Sequence, residues 1–422
     1  MPSATQHATT SSDVIVIGGG AAGLLAATAA AENDKQVLLL EKNSKAGVKI
    51  LMSGGTRCNI TQATDRRGIV TAFGAQGNFL HSALAALSPD DLVDLFESEG
   101  VATKIEPTGK IFPVSDRAID VRDALLRRLH RSGARLALNS AVHAFRRTQE
   151  GFEVSSTSGQ FQCKKLILTV GGQSYPGCGT TGDGYAWAKS MGHAIVPPRP
   201  ALVPITTNST WIHELRGITM EDVSLKIEQP AADGKQKEIA HRRGSMVLTH
   251  FGLSGPVVLD ISRVITQAAN RKNLVLKCDF LPGLSEKETE QQLERLCRRD
   301  GGRLIHQTLS SLSLPKRLIE QLIISAAIPD ERRVAELSRQ ERGRLIRAIK
   351  TTTIDVAGTL GFKKAEVTAG GVSRDEVDSR NMQSKLVAGL YFAGEILDLD
   401  GPIGGYNFQA AFSTGWLAGI SV

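Results

Sequence analysis

Residues 13–23 read Asp-Val-Ile-Val-Ile-Gly-Gly-Gly-Ala-Ala-Gly, an apolar run followed directly by a glycine-rich turn. The alanine-rich residues after Gly23 predict a helix, and Val37–Leu40 predicts a second strand. Gly18 permits the sharp turn, Gly20 lets the backbone approach a pyrophosphate, and Gly23 lets the helix pack closely on the strand. This order of strand, turn, helix and strand therefore predicts a βαβ unit that binds a dinucleotide.

Glu41 ends the second predicted strand, eighteen residues after Gly23. A carboxylate at this position accepts hydrogen bonds from an adenosine ribose hydroxyl and repels a 2′-phosphate. The predicted helix adds unpaired N–H groups and the positive end of its dipole, which favour binding of the phosphates. These residues therefore predict FAD or NAD rather than NADP as the bound dinucleotide.

A second informative segment lies near the C-terminus. A predicted strand ends on Gly394-Glu395, and the pair Gly404-Gly405 precedes a predicted helix. We interpret Glu395 as a carboxylate positioned for the ribityl chain of a flavin. The N–H groups after Gly405 would face the flavin edge that gains negative charge on reduction. Together with the N-terminal unit, this segment favours FAD over NAD.

The composition excludes several classes of protein. The chain has 422 residues, of which 41% are hydrophobic and 22% are charged, and this is typical of a globular protein with more than one packed unit. We expect a soluble, cytoplasmic protein with no membrane partner. The five cysteines are scattered without a CxxC pair, which argues against a flavin-linked dithiol reductase. No HExxH, GxSxG or P-loop motif occurs, and no metal site is predicted.

The net charge of +7 raises the question of a nucleic-acid partner. Basic residues concentrate in residues 331–350, where arginines alternate with glutamates at helical spacing. Mixed signs in this pattern indicate a solvated helix face. We therefore predict a small-molecule substrate and argue against a nucleic-acid partner, while the sequence makes no prediction of the oligomeric state.

The chain resembles the bacterial BaiN/YhiN-type family of FAD-dependent oxidoreductases, a branch of the glutathione-reductase-like FAD fold, over residues 13–420. Val170 is a departure, because related flavoproteins commonly have an Ala-Thr-Gly-like sequence there. Besides the N-terminal turn, the resemblance rests on Lys49-Ile-Leu-Met-Ser-Gly-Gly-Thr-Arg-Cys-Asn59, Gly109-Lys-Ile-Phe-Pro-Val-Ser115, Gly171-Gly172, Thr181-Gly-Asp-Gly184, Thr249-His-Phe-Gly-Leu-Ser-Gly-Pro256, Thr368-Ala-Gly-Gly-Val372 and the region from Phe392 to Gln409.

The resemblance and the pattern together predict an α/β architecture. We expect a discontinuous, Rossmann-like FAD-binding domain of the glutathione-reductase type, with an inserted β-rich domain and a helical subdomain. The predicted boundaries are a disordered tail at 1–12, the FAD-binding domain at 13–197 and 356–422, the inserted domain at 198–284 and 351–355, and the helical subdomain at 285–350.

The resemblance also implies which residues contact FAD. Arg57 would lie in a loop running toward the isoalloxazine, or would be an ordinary loop arginine. Val142 would approach the adenine through its backbone. The implied contacts are Gly18, Gly20, Ala22, Gly23, Glu41, Lys42, Arg57, Cys58, Asn59, Val142, Gly394, Glu395, Gly405, Tyr406 and Asn407.

The chemistry beyond the flavin is less defined by the sequence. We expect NAD(P)H as the transient electron donor and a small organic molecule as the acceptor. The only candidate catalytic residue is His250, which would donate a proton to the substrate or would be a hydrogen-bonded loop histidine. Two alternatives stay open: an amine or aminoketone oxidase that uses oxygen, and a non-enzymatic FAD-bound redox sensor or RNA-interacting flavoprotein.

Overall fold

A computed structural model describes residues 10–231 and 235–422, which form two compact units. The first unit consists of the described residues up to Pro200 together with Ala365–Val422, and the second unit is Ala201–Lys364. Of the predicted tail, residues 1–9 lie outside the described residues. Residues 10–12, which the sequence assigns to the tail, belong to the first strand.

The strands of both units are short, apart from a long pair in the second unit. In chain order they are β1 (Thr10–Ile17), β2 (Val37–Leu40), β3 (Thr61–Gln62), β4 (Thr103–Ile105), β5 (Lys110–Pro113), β6 (Arg135–Ala137), β7 (Val142–Arg147), β8 (Phe152–Ser156), β9 (Gly159–Leu168), β10 (Ile195–Ala201), β11 (Ile205–Thr206), β12 (Thr219–Pro230), β13 (Gln236–Thr249), β14 (Gly252–Ser254), β15 (Val275–Asp279), β16 (Thr352–Ile354), β17 (Gly358–Thr359), β18 (Val367–Val372) and β19 (Leu390–Phe392).

Helices connect these strands and cover the sheets. In chain order they are α1 (Ala21–Glu32), α2 (Val48–Met52), α3 (Arg66–Ala72), α4 (His81–Ala86), α5 (Pro89–Ser98), α6 (Ala118–Arg131), α7 (Asp183–Ser190), α8 (Thr210–Glu214), α9 (Pro256–Gln267), α10 (Glu286–Arg299), α11 (Ile305–Leu309), α12 (Lys316–Ser325), α13 (Arg339–Lys350) and α14 (Tyr406–Ile420).

The first unit is built on a seven-stranded sheet that is parallel around β1 and continues beyond β9 with β8 and β7 in antiparallel pairing. Strand β1 lies between β2 and β9, so that Ile17 pairs with Leu40 on one side and with Leu168 on the other. Strand β6 extends the sheet beyond β2, and β19 pairs in parallel with the last residues of β9. Because these strands end at one edge, the loops that follow them converge there. The predicted α/β, Rossmann-like fold is confirmed.

Burial explains why the N-terminal pattern forms this sheet. The residues of β1 from Val14 to Ile17 and those of β2 are all buried, as expected for parallel strands covered on both faces. Helix α1 is buried almost all round, and α14 packs directly against it. A Cβ atom on Gly415 of α14 would lie 2.3 Å from the Ala22 carbonyl oxygen, so glycine is required for this close approach.

The second unit combines an antiparallel sheet with helices. The strand order is β16-β15-β12-β13-β14-β11-β17. Leu225 and Leu276 of this sheet share one buried cluster with Val258 of α9, Ile319 of α12 and Ile349 of α13. The β-rich and helical segments, which the sequence assigns to separate parts of the chain, therefore share one core within this unit.

The basic segment at 331–350 is only partly an α-helix. Helix α13 begins at Arg339 after the cap residue Ser338, whose side chain accepts a hydrogen bond from the N–H of Glu341. The helix buries Leu345, Ile346 and Ile349. Among residues 10–231 and 235–422, no helix combines the length and the apolar character that crossing a membrane requires.

Candidate functional site

The glycine-rich turn joins β1 to α1 at the carboxyl edge of the parallel sheet. Gly18 has φ +103°, and a Cβ atom on Gly23 would lie 1.8 Å from the Gly18 carbonyl oxygen. A Cβ atom on Gly20 would meet nothing within 4 Å, so the backbone of the turn faces open space at this point. Gly20 is the cap residue of α1 and supplies no side-chain hydrogen bond. The first N–H groups of the helix are therefore available to a phosphate.

Glu41 follows β2 and is held beside this turn. The residue is 7% exposed. Oε2 accepts a hydrogen bond from the Gly19 N–H at 2.7 Å, and Oε1 accepts one from the Asn43 N–H at 2.8 Å. Each carboxylate oxygen has a further lone pair. The arrangement fixes the side chain at the sheet edge and leaves it able to accept a hydrogen bond from a ribose hydroxyl.

Two segments beside Glu41 complete this side of the site. The Lys42 ammonium lies 2.7 Å from Asp183 Oδ2, so this lysine is paired with the first turn of α7. The Ser140 N–H donates to the Glu41 carbonyl oxygen at 2.8 Å. This bond brings the segment that leads into Val142 next to the turn, where the resemblance places the adenine contact.

Glu395 is fixed at the other side of the turn. Its Oε2 lies 2.5 Å from the Lys49 ammonium, and its Oε1 accepts a hydrogen bond from the Thr368 N–H at 2.8 Å. A Cβ atom on the preceding Gly394 would lie 2.8 Å from the Cβ of Ala22. The structure therefore brings together predicted site residues from the two ends of the chain.

The N-terminus of α14 lies after a tight loop. Gly405 has φ +91°, and a Cβ atom there would lie 2.5 Å from the Thr61 carbonyl, so only glycine fits. Asn407 is engaged by this loop: its Oδ1 accepts the Gly401 N–H at 2.8 Å, and its Nδ2 donates to the Pro402 carbonyl at 3.1 Å. A cofactor contact from Asn407 would therefore involve its backbone. Tyr406, between these two residues, is half-buried.

The Arg57 guanidinium forms ion pairs and a ring contact with other residues of the protein. Its Nη1 lies 2.6 Å from Glu106 and 3.4 Å from Asp116, and its guanidinium lies 4.0 Å above the centre of the Phe112 ring. The hydrogen bond to Glu106 raises the pKa of Arg57. Of the two interpretations of this residue, the geometry favours an ordinary loop arginine.

The next two residues of the loop are buried. Burial raises the pKa of the Cys58 thiol to about 12, so this cysteine is protonated at neutral pH. Asn59 is 9% exposed, and its Oδ1 has no hydrogen-bond partner among the described residues. An unpaired buried acceptor costs about 1–3 kcal/mol, a cost that an N–H donor of a bound ligand would remove.

A residue that the sequence did not single out also has an unpaired polar atom. Tyr185 of α7 is 7% exposed, and its hydroxyl has no hydrogen-bond partner among the described residues. Burial, and after it the charges of Glu395 and Asp398, raises the pKa of Tyr185 far above its ordinary value. The signal was present, because Tyr185 directly follows the quoted motif that ends at Gly184.

His250 lies in the turn between β13 and β14. It belongs to the second unit, where it is exposed and its ring lies edge-on to Phe251 at 5.0 Å between centroids. Its role in proton transfer stays a prediction. Among the described residues, no group of three or more His, Cys, Asp or Glu side chains could hold a metal ion.

Comparison with known proteins agrees with this geometry. The family model of the HI0933-like protein Rossmann domain matches residues 12–421. The chain belongs to the HI0933-like family. The resemblance drawn from the motifs is confirmed, and the protein is an FAD-dependent oxidoreductase.

Two relatives of the HI0933-like chain are similar over nearly their whole length. The ribosomal RNA dihydrouridine synthase of Escherichia coli (strain K12) is 33% identical over 383 residues, which cover 90% of this chain and 90% of the relative. The 3-dehydro-bile acid delta(4,6)-reductase of Clostridium scindens is 33% identical over 386 residues, which cover 91% of this chain and 92% of the relative.

A solved structure supports the fold alone. It is the 3-ketosteroid delta1-dehydrogenase from Sterolibacterium denitrificans in complex with 1,4-androstadiene-3,17-dione. The TM-score is 0.50 at 14% identity, with 97% of this chain and 99% of that chain covered. The described residues of the HI0933-like chain fit FAD: an open turn at a helix N-terminus, a buried carboxylate after β2, and unpaired polar atoms on Asn59 and Tyr185.

Proposed function

We propose that the protein reduces a carbon–carbon double bond conjugated to a carbonyl group, and that its substrate is a uridine of ribosomal RNA. Dihydrouridine differs from uridine by saturation of the C5=C6 bond, which is conjugated to the C4 carbonyl. The double bonds in the name of the bile acid reductase are likewise conjugated to a 3-oxo group. The two relatives, each 33% identical to this chain, thus have the same type of reducible bond in common, and this carries the proposal.

The overall reaction consumes NAD(P)H and one proton for each double bond. The carbon distant from the carbonyl receives a hydride, the carbon next to the carbonyl receives a proton, and NAD(P)⁺ and the saturated product are released. FAD supplies two-electron chemistry when bound, accepting a hydride from a reduced nicotinamide and passing it to an electron-poor carbon.

In this scheme the chain's own residues bind the cofactor and orient it. The turn around Gly20 and the first N–H groups of α1 bind the pyrophosphate, and Glu41 binds the ribose. Glu395, held by Lys49, is placed for the ribityl chain. His250 is the candidate proton donor in this scheme, because it is exposed and imidazole is the side chain that most often transfers protons in enzymes.

The net charge of +7 agrees with an RNA substrate, whose phosphates attract a basic protein. The sequence itself favours a small molecule instead, because acidic and basic residues are intermixed in the most basic segment. A free small-molecule enone is therefore the second candidate substrate, and the similarity to the bile acid reductase supports it.

The test is an anaerobic assay of the FAD-loaded protein with NADH or NADPH. One arm contains ribosomal RNA transcribed in vitro, which carries no modified bases, and the other contains 1,4-androstadiene-3,17-dione as a soluble enone. Nucleoside mass spectrometry measures dihydrouridine, and absorbance measures nicotinamide oxidation. Dihydrouridine formation supports the proposal, and consumption of the enone alone would replace it with the second candidate. In a separate incubation with an amine in air and without a nicotinamide, reduction of the flavin by the amine and its reoxidation by oxygen would identify an oxidase.

A further inference from the structure

The second unit contains a pocket of ≈ 430 Å³ at the junction of α8, α12, α13 and β16. The volume lies within the range of pockets that bind small ligands. None of the described residues that line it is Asp or Glu. Its lining includes one aromatic side chain, two arginines and several polar side chains: Trp211, Gln321, Ser325, Arg344, Arg347 and Thr353.

The aromatic wall of this pocket is Trp211. The indole is half-buried and packs on the core of the second unit, so its position is fixed. Helix α8 is tied to α12 because the Arg317 guanidinium donates a hydrogen bond to the Glu214 carbonyl. A fixed indole at the wall of a polar pocket is a surface on which any of the nucleobases can stack.

The positive charge of the pocket comes from two arginines three residues apart, which lie on one face of α13. Arg344 is oriented by the end of α12, since its Nε donates to the Ala326 carbonyl at 2.6 Å. Arg347 is exposed, and neither arginine forms an ion pair with any of the described residues. Two other basic groups of this segment form ion pairs: Lys350 lies 2.7 Å from Asp279, and Arg332 lies 3.2 Å from Glu341. Arg344 also donates to the Ala327 carbonyl at 3.3 Å, and its charge acts on the Glu341 carboxylate. Because neither guanidinium is held in an ion pair, both can attract a phosphate.

We propose that this pocket binds one unpaired nucleotide of an RNA strand, with its base on Trp211 and its phosphate on Arg344 and Arg347. The inference rests on the proposed RNA substrate and names the surface that holds part of it outside the flavin site. The chemistry recognised is a nucleobase joined to a phosphate, which NADPH also contains. An RNA strand is the occupant we expect, because an open surface with exposed cations suits a continuous phosphodiester backbone.

The experiment measures binding of the FAD-loaded protein to a fluorescent single-stranded oligouridylate by anisotropy, at several salt concentrations. Arg347→Gln should weaken binding about fivefold at low salt and reduce the slope of log K against log salt by about 0.7. Trp211→Leu should weaken binding about tenfold and leave the salt slope unchanged, because stacking releases no counterions.

The matched control is Arg298→Gln. Arg298 is also an exposed arginine in the last turn of a helix, α10, in the same unit, but it does not line the pocket. This variant should bind the oligonucleotide within about twofold of the parent, since a distant exposed charge is screened by salt. Thermal unfolding of each variant verifies that it is folded.

A parallel titration with NADPH separates the two sources of the nucleotide. Loss of NADPH affinity in the Arg347 and Trp211 variants, with RNA affinity unchanged, would overturn the inference. Parent-like RNA affinity in both variants would also overturn it, even if dihydrouridine is formed. Weakened oligonucleotide binding in both variants supports the pocket as an RNA site, even if the uridine reduction assay fails.

Discussion

The Lys49 ammonium lies 2.5 Å from the Glu395 carboxylate, although 346 positions separate the two residues in the chain. Their side chains are 25% and 19% exposed. Glu395 also accepts the Thr368 N–H, so one carboxylate connects three distant segments of the first unit. The pair therefore holds the loop after β19 against α2, beside the glycine-rich turn.

We expect Glu395→Gln to lower the free energy of unfolding of the apoprotein by about 1–2 kcal/mol, because Lys49 would be left partly buried without its counter-ion. Urea unfolding of the apoprotein measures this loss. The control is Lys164→Met, which removes the more exposed ion pair with Asp13 and should cost less than about 1 kcal/mol. Equal losses in the two variants would contradict a special role for the Lys49–Glu395 pair.

Removing the carboxylate of Glu41 should weaken both folding and FAD binding. In Glu41→Ala the N–H groups of Gly19 and Asn43 lose their acceptor, which should lower the free energy of unfolding by about 1–3 kcal/mol. FAD affinity should fall about tenfold or more, the equivalent of one lost charge-assisted hydrogen bond. Flavin fluorescence titration gives the affinity. Glu41→Gln retains one acceptor oxygen and should lie between the parent and the alanine variant, and parent-like flavin affinity in Glu41→Ala would contradict the ribose assignment.

Tyr185→Phe should leave the apoprotein as stable as the parent or more stable, but it should reduce the stabilisation that bound FAD confers. The hydroxyl is buried without a partner, so its removal should leave the free energy of unfolding unchanged or raise it by up to about 1 kcal/mol. If bound FAD provides the missing partner, the stabilisation that FAD confers should be smaller in the variant. Thermal unfolding with and without FAD measures both quantities. A variant whose FAD-induced stabilisation equals that of the parent would place Tyr185 outside the cofactor site.

The dinucleotide turn could be predicted from the sequence because its determinants are local. The apolar run at 14–17 is buried on both faces, and Gly23 meets the backbone of Gly18 only five residues away. The partners of Lys49 and Arg57 could not be predicted in this way. Glu395 and Glu106 reach them through tertiary folding, which periodicity and spacing along the chain do not encode.

The packing partners of the helices in the second unit could not be predicted from the sequence either. The helical pattern of residues 285–350 predicts which positions are apolar, but it does not indicate what they pack against. In the structure, Ile319 and Ile349 join the core of the neighbouring sheet. The mixed charges of residues 331–350 indicate a solvated helix face. This pattern could not reveal that Arg344 and Arg347 meet Trp211, more than a hundred residues earlier, in a pocket without carboxylates.

A buried histidine of the first unit should make the stability of the protein depend on pH. His193 is 2% exposed, its Nε2 lies 2.8 Å from Ser384 Oγ, and its Nδ1 lies 3.3 Å from Glu376 Oε2. Burial lowers the pKa of His193 below its ordinary value, although the Glu376 carboxylate opposes this shift. Above about pH 6.5 the imidazole is neutral in both states, so it contributes no pH dependence. As the pH falls below this value, the unfolded chain binds a proton that the folded protein does not yet bind, and stability is lost.

The free energy of unfolding of the parent should therefore decrease between about pH 6.5 and 5.5, with a contribution from His193 of up to about 1.4 kcal/mol per pH unit. His193→Gln should remove this contribution and flatten the dependence in this range. The control is His81→Gln, because His81 is exposed and its replacement should leave the slope of the parent unchanged. Urea unfolding at a series of pH values measures the slopes. A slope in His193→Gln as steep as that of the parent would show that another group causes the loss of stability.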